Sequence, residues 1–163
     1  LKLSYTESTG HPLLKKEISK LYSSITPDDI NVLVPEEGIF VAMNGILEKG
    51  DHVISTYPGY QSLFEIANSL GCEVSKWTPD YKDGWQFDLE KLKSMVRKNT
   101  KLIVINFPHN PTGATISETE LKEIIELCRQ SNLLLFSDEM YRFLEYNKKD
   151  RLPSASDLYE NAL

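Results

Sequence analysis

The sequence is poor in cysteine, lacks long hydrophobic runs and has no excess of basic residues. Its two cysteines, Cys72 and Cys128, form no CxxC pair, so neither a disulfide framework nor a zinc site is predicted. The longest apolar runs, 133–136 and 102–107 interrupted by Asn106, are far shorter than the ~20 residues that cross a bilayer. Lys and Arg number 18 against 24 Asp and Glu, a net charge of −6 that argues against a nucleic-acid groove. We therefore expect a cytoplasmic protein with no metal, nucleic-acid or membrane partner.

The composition is that of an ordinary globular protein. Of the 163 residues, 40% are hydrophobic and 26% are charged, and 8 Gly with 8 Pro are too few for a collagen-like or low-complexity chain. The length predicts one compact domain. Because the sequence begins at Leu1 rather than Met, and stops at Leu163 without a closing feature, we expect a piece of a longer protein.

Helical and strand patterns alternate along the chain with short connections. The strands are short and continuously apolar, which is typical of a parallel sheet covered by helices on both faces. The fold class is therefore predicted to be α/β, a three-layer α/β/α sandwich with a mainly parallel sheet. The predicted strands are 32–34, 52–56, 72–77, 101–107 and 133–136, and the predicted helices include 11–22 and 35–47.

Unusual side chains follow the predicted strands directly, in the loops 34–38, 57–60, 108–113 and 137–141. In open parallel sheets, ligands bind at the carboxyl ends of the strands, where loops and helix N-termini converge. These four loops are therefore the candidate binding loops.

Asp138 is the most informative of these side chains. A carboxylate at the end of a buried strand loses hydration, so a cationic partner is needed to keep it charged. A protonated ring nitrogen of a ligand would serve, and so would a helix N-cap role or an ion pair with Arg142. Tyr141, three residues later, lies within reach of the same ligand or is a core tyrosine.

Two further residues are candidates for contact with a flat ligand. Asn110 lies in a loop restricted by Pro108 and Pro111, which can hold its amide near a ligand oxygen with little loss of entropy. Its alternative is an Asx turn before a proline. Tyr60 follows Pro58-Gly59 and either presents an aromatic face to the ligand or fills the end of a strand.

Taken together, these positions resemble the class I/II aminotransferases, which are fold-type I pyridoxal-phosphate enzymes. The resemblance runs along essentially the whole chain. Its most specific parts are Asn110-Pro-Thr-Gly113 after one strand and Asp138 with Tyr141 after the next. Further support comes, in the expected order, from 46–53 and from Tyr57-Pro-Gly-Tyr60. The resemblance implies the large, cofactor-binding domain of such an enzyme over residues 1–163, with the small C-terminal domain absent.

The resemblance also implies a role for each candidate. Asp138 would pair with the protonated pyridine nitrogen of pyridoxal 5'-phosphate and keep the ring an electron sink. Asn110 and Tyr141 would hydrogen-bond the 3-oxygen of the cofactor, and Tyr60 would stack on its ring. Tyr5 resembles the tyrosine that reaches the cofactor phosphate of the other subunit, which implies a homodimer.

The chain departs from this family at the helix that receives the phosphate. The family has a Gly-Ala-x-Glu-type turn where this chain has Val34-Pro-Glu-Glu37-Gly38. Pro35 removes one N–H donor, and Glu36 adds negative charge near a helix end that should receive a dianion. The backbone N–H groups of Glu36 and Glu37 remain as candidate phosphate donors, or both residues are ordinary first-turn helix residues.

The Schiff-base lysine of the family lies on a later loop than Tyr141, and no lysine of this chain has that context. Lys148 and Lys149 lie in a charged surface turn. We therefore expect no catalytic residue in the chain and no activity from it alone. The predicted function is the cofactor-binding part of an aminotransferase, which moves an amino group from an amino acid to a 2-oxo acid. The alternatives are a fragment of a pyridoxal-phosphate lyase or synthase, or a non-catalytic interaction module.

Overall fold

A parallel four-stranded sheet forms the centre of the computed structural model, which describes residues 5–163. The strands lie in the order β2-β1-β3-β4, with β1 and β3 in the middle, and all neighbours are parallel. This confirms the predicted fold class. The strands are β1 (His52–Thr56), β2 (Glu73–Trp77), β3 (Thr100–Asn106) and β4 (Leu134–Asp138).

Six α-helices accompany the strands in the described part of the chain. They are α1 (Pro12–Ser19), α2 (Pro35–Ile46), α3 (Ser62–Ser69), α4 (Leu89–Met95), α5 (Glu118–Ser131) and α6 (Ala155–Leu158). Single turns of 3-10 helix lie at Pro27–Asp29, Tyr81–Asp83 and Lys148–Asp150.

Alternate side chains of β3 point to opposite faces of the sheet, as a strand's period of two requires. Ile103 and Ile105 join the core formed with α4, α5 and α6. Leu102 and Val104 join the second core, formed with α2 and α3. Helices therefore cover the sheet on both faces, which makes the three layers of the predicted sandwich.

Several helix ends follow the sequence signals closely. Asp88 caps α4, since its Oδ1 accepts hydrogen bonds from the backbone N–H groups of Glu90 and Lys91. Ser117 and Glu120 form a capping box at the start of α5. Gly71 follows the end of α3 with a φ of +82°, a conformation that glycine adopts without strain.

The predicted strand 32–34 is wrong. This segment lies outside the sheet, because the backbone N–H of Val32 donates to the carbonyl of Thr9 at 2.9 Å. Gly10 permits this approach: a Cβ atom on it would lie 2.5 Å from a methyl carbon of Val32. From Pro35 onward, α2 packs on the sheet, where Ile39 and Met43 join the second core.

The carboxyl ends of all four strands lie at one edge of the sheet, since the strands are parallel. The last residues of the chain run beside β4, where the N–H of Leu163 donates to the carbonyl of Leu135 at 2.8 Å. The N–H of Ser137 donates in turn to the carbonyl of Leu163 at 2.9 Å. This edge, together with the N-terminus of α2, frames the candidate site.

Candidate functional site

A cleft of about 900 Å³ lies at the carboxyl edge of the sheet, between the end of β4 and the start of α2. Five of the seven candidate residues line it: Glu36, Tyr60, Asn110, Asp138 and Tyr141. They come from four separate segments, three of them at or just after the ends of β1, β3 and β4 and one at the start of α2, so the fold brings them together. Glu37 and Tyr5 do not line the cleft.

Asp138 is the last residue of β4 and is partly buried. Burial raises the pKa of its carboxyl group, and a hydrogen bond from the backbone N–H of Met140 to Oδ1, at 3.0 Å, lowers it. No Lys, Arg or His within residues 5–163 forms an ion pair with it. Among the described residues, Asp138 is thus a partly buried carboxyl group that has no cationic partner and lines a cleft.

Arg142, the alternative partner for Asp138, is engaged elsewhere. Its Nη1 lies 3.6 Å from a carboxylate oxygen of Glu139, and its guanidinium packs against the rings of Tyr22 and Phe143. Glu139 also accepts hydrogen bonds from the hydroxyl of Ser154 and from the N–H of Ala155, both at 2.9 Å. The helix-cap alternative is wrong too, because a turn, not a helix, follows Asp138.

Asn110 reaches the cleft from the loop after β3. Its backbone N–H donates to Oδ1 of Asn106 at 2.8 Å, and Nδ2 of Asn106 donates to the backbone carbonyl of Asp138 at 3.0 Å. The Asn110 side chain itself forms no hydrogen bond within the described residues. Its amide is therefore available to a ligand.

The two tyrosines of the cleft differ in their contacts. Tyr60 donates its hydroxyl to Oε2 of Glu36 at 3.2 Å and is 41% exposed, so it is not a plug of the core. Tyr141, in the turn after β4, is 37% exposed, which also excludes a core role. Both aromatic side chains can be reached from the cleft.

The α2 end of the cleft carries negative charge. Pro35 and Glu36 occupy the first positions of α2, and the N-cap residue Val34 provides no side-chain hydrogen bond. Glu36 is held toward the cleft, since its Oε1 accepts from the hydroxyl of Ser62 at 2.8 Å and its Oε2 from Tyr60. A carboxylate thus lies where the helix dipole favours an anion.

Glu37 is exposed in the first turn of α2 and does not line the cleft. Tyr5 is fully exposed near the N-terminus. Its predicted contact with the cofactor of a second subunit stays a prediction, as do the cofactor roles of the other six candidates.

The family relationship follows from comparison with known proteins. Residues 2–160 match the family model of aminotransferase class I and II. The chain belongs to this family. It is 32% identical to kynurenine–oxoglutarate transaminase 3 of Rattus norvegicus, over 93% of this chain and 37% of that protein. It is 30% identical to the aspartate aminotransferase of Pyrococcus horikoshii, over 98% of this chain and 42% of that protein.

The aminotransferase fold is shown by solved structures as well. A PLP-dependent aminotransferase from Streptococcus suis superposes with a TM-score of 0.90 and 36% identity, covering 99% of this chain and 43% of that one. The chain thus spans about two fifths of the length of the aminotransferases that it matches.

Two residues that shape the candidate site were missed in the sequence: Asn106, which interrupts an apolar strand, and Glu139, which engages Arg142. A polar residue in an otherwise apolar run is a usable signal, because it needs buried partners. Within residues 5–163, no helix is long and apolar enough to cross a membrane, and no group of metal-ligating side chains is arranged around a metal site.

Proposed function

We propose that this chain is the cofactor-binding part of a pyridoxal-phosphate-dependent aminotransferase. The observation that carries the proposal is the carboxylate of Asp138, which is desolvated at a strand end and has no cationic partner within residues 5–163. It lines a cleft together with Asn110, Tyr60 and Tyr141. A protonated pyridine nitrogen would supply the missing positive charge. The cleft volume, about 900 Å³, is ample for a cofactor of this size.

The ring end of the cleft fits pyridoxal phosphate. Asp138 would hold a proton on the pyridine nitrogen, and the Asn110 amide and the Tyr141 hydroxyl would orient the 3-oxygen. Tyr60 would cover one face of the ring. When bound, the cofactor withdraws electrons from the α-carbon of an amino acid, and Asp138 sustains that property by keeping the ring nitrogen cationic.

The phosphate end fits less well. Glu36 lines the cleft at the N-terminus of α2, and Pro35 offers no N–H donor. The backbone N–H groups of Glu36 and Glu37 remain as candidate donors to the phosphate. In the homodimer that we propose, Tyr5 of the partner subunit would add a hydroxyl.

We expect the chain by itself to hold the cofactor without transferring an amino group. In the part of the chain that the structure describes, no lysine lines the cleft, so no lysine there is placed to bind the cofactor covalently. The complete protein would move an amino group from an amino acid to a 2-oxo acid. The relatives that match the chain are named for different amino acids, kynurenine and aspartate, so the proposal names only the substrate class.

A second candidate function, a non-catalytic interaction module, is favoured by one observation, the Glu36 carboxylate at the helix end. The two functions differ in whether the chain retains cofactor. The purified chain should therefore be mixed with pyridoxal phosphate and passed through gel filtration, with absorbance read in the protein peak.

Retention by the wild-type chain and its loss in Asp138→Ala would support the cofactor-binding function. The matched control is Asp88→Ala, since Asp88 caps α4 and does not line the cleft. No retention by a folded wild-type chain would overturn the proposal and favour the interaction module.

A further inference from the structure

Asn106 is a buried amide between two candidate cofactor ligands. It is the last residue of β3, pairs in register with Asp138 of β4, and is 1% exposed. It does not line the cleft, so it would not touch a ligand there. Its influence on the site therefore depends on what its side chain holds.

Both ends of the Asn106 side chain are used. The Nδ2 group donates to the backbone carbonyl of Asp138 at 3.0 Å, and Oδ1 accepts from the backbone N–H of Asn110 at 2.8 Å. An amide presents a donor and an acceptor from one rigid plane, so it can bridge a carbonyl and an N–H group. Neither an aspartate nor a leucine of similar volume meets both needs.

The loop of Asn110 has few other attachments to the sheet. Pro108 and Pro111, on either side of it, have no backbone N–H to donate. The other backbone hydrogen bonds within the loop, from His109 to Ala114 and from Gly113 to His109, close the loop on itself. The Asn106 side chain thus connects the backbone N–H of Asn110 with the backbone carbonyl of Asp138, at the end of β4.

We propose that Asn106 is a positioning residue that holds Asn110 and Asp138 in a fixed relation, so that the two can engage one cofactor ring together. This inference rests on the proposed function, because it assigns both residues to the same ligand. Preorganised ligand groups bind more tightly, because little conformational entropy remains to be lost. Loss of the bridge should therefore weaken cofactor binding without removing any contact to the cofactor.

A purely structural role is the competing explanation, since any buried polar residue contributes to stability. Thr100, at the opposite end of β3, provides the matched control. It is also buried, and its hydroxyl is hydrogen-bonded to Nδ1 of His52 at 2.8 Å and accepts from the N–H of Arg97 at 2.6 Å. Thr100→Val should therefore lower stability but leave the cleft intact.

The test uses Asn106→Ala, Asn106→Asp and Thr100→Val in the 163-residue chain, each measured well below its unfolding temperature. Hydrogen exchange of the Asn110 backbone amide is followed by NMR without cofactor, and pyridoxal phosphate affinity is measured by absorbance titration. Asn106→Ala should accelerate the exchange and weaken the affinity about tenfold. Asn106→Asp, at pH 8, should keep the Asn110 amide protected but still weaken the affinity. Thr100→Val should change neither.

The outcomes separate this inference from the proposed function. If Asp138→Ala abolishes cofactor binding while Asn106→Ala binds as the wild type does, the inference fails and the proposed function stands. Equal losses of affinity in Asn106→Ala and Thr100→Val would also overturn it, as would an unchanged exchange rate at Asn110. If the folded wild-type chain binds no cofactor, the proposed function fails and the inference fails with it.

Discussion

Buried polar side chains lie at both ends of β3, but the partners of these side chains differ between the two ends. At the amino end, His52 lies between Thr100 and Ser75, with each ring nitrogen 2.8 Å from a hydroxyl oxygen. At the carboxyl end, Asn106 is satisfied, but Asp138 is not matched by any cation within residues 5–163. Groups at the amino end thus pair with one another, whereas at the carboxyl end the Asp138 carboxyl group has no cationic partner among the described residues.

Buried polar groups that are hydrogen-bonded to one another can thus be distinguished from a buried polar group that has no partner. A hydrogen-bond network in which every donor and acceptor is paired stabilises the fold and has no polar group left to bind a ligand. A desolvated carboxylate without a partner costs stability, and proteins place such groups where a ligand offsets the cost. Variants at the carboxyl end should therefore change cofactor binding, and variants at the amino end should change stability alone.

The largest effect is expected for Asp138→Asn. The substitution keeps the shape of the side chain but removes the charge that would meet the ring nitrogen. We expect pyridoxal phosphate affinity to fall about 100-fold, equivalent to ~3 kcal/mol. Fluorescence titration of the cofactor measures this. An affinity of Asp138→Asn within twofold of the wild-type affinity would contradict the proposal that the carboxyl end of β3, unlike its amino end, contributes to cofactor binding.

Smaller losses are expected at the residues assigned to the 3-oxygen. Under the proposed function, Tyr141→Phe and Asn110→Ala would each remove one hydrogen bond to the cofactor, so affinity should fall about fivefold to tenfold in each. The same titration measures both. Tyr146→Phe is the control for Tyr141, since Tyr146 is fully exposed and lies in the neighbouring loop. If the control loses as much affinity as Tyr141→Phe, the assignment of Tyr141 is wrong.

A gain of affinity is expected at the α2 end of the cleft. Glu36→Gln keeps an acceptor oxygen for one of the two hydroxyls, those of Tyr60 and Ser62, and can donate its amide N–H to the other, but it removes a negative charge from the helix N-terminus. Pyridoxal phosphate should bind about twofold to fivefold more tightly, while unphosphorylated pyridoxal should be unaffected. Comparison of the two vitamers in one titration checks this. Weaker binding of the phosphorylated form would show that Glu36 assists the phosphate.

The amino end of β3 should respond to pH through stability. Burial lowers the pKa of His52 below its ordinary value of 6.5, with nearby Arg97 acting in the same direction and Glu73 opposing it. The neutral ring is therefore favoured in the folded state, so its stabilising contribution is complete above pH 6.5 and is lost as pH falls below that value. Burial also lowers the pKa of His109, which lies in the loop after the carboxyl end of β3, so His109 should add to the loss of stability at low pH.

His52→Gln isolates that contribution. Between pH 7.5 and pH 5.5, the melting temperature of the variant should fall less than that of the wild type, by about 2–4 °C for each ~1 kcal/mol concerned. Thermal unfolding followed by circular dichroism gives both curves, and cofactor affinity at pH 8 should be unchanged. Parallel pH curves for the two proteins would contradict the assignment to His52.

Much of the fold was predictable because the signals are local. The apolar runs of β1 and β3 and the Asp88 cap depend on neighbours a few residues away, and they lie where the sequence places them. The segment 32–34 was mispredicted because its partner, Thr9, lies far away in the sequence. Asn106 was missed for the same reason, since its role depends on the register between β3 and β4.

The residues of the candidate site could be predicted from the sequence where they lie at or directly after the end of a predicted strand. Loop position alone placed Asn110, Asp138 and Tyr141 at one edge of a parallel sheet, and the structure brings all three to one cleft. What local sequence does not show is which charges are already paired. The engagement of Arg142 by Glu139, which leaves Asp138 free, is a property of the packed turn after β4.

The protonation state of the bound ring nitrogen tests the central claim most directly. Pyridoxal phosphate labelled with ¹⁵N in the ring should be bound to the wild-type chain and to Asp138→Asn at pH 8, and its ¹⁵N chemical shift measured. We expect a protonated nitrogen in the wild type and an unprotonated one in the variant. An unprotonated nitrogen in the wild type, or the same shift in both proteins, would contradict it.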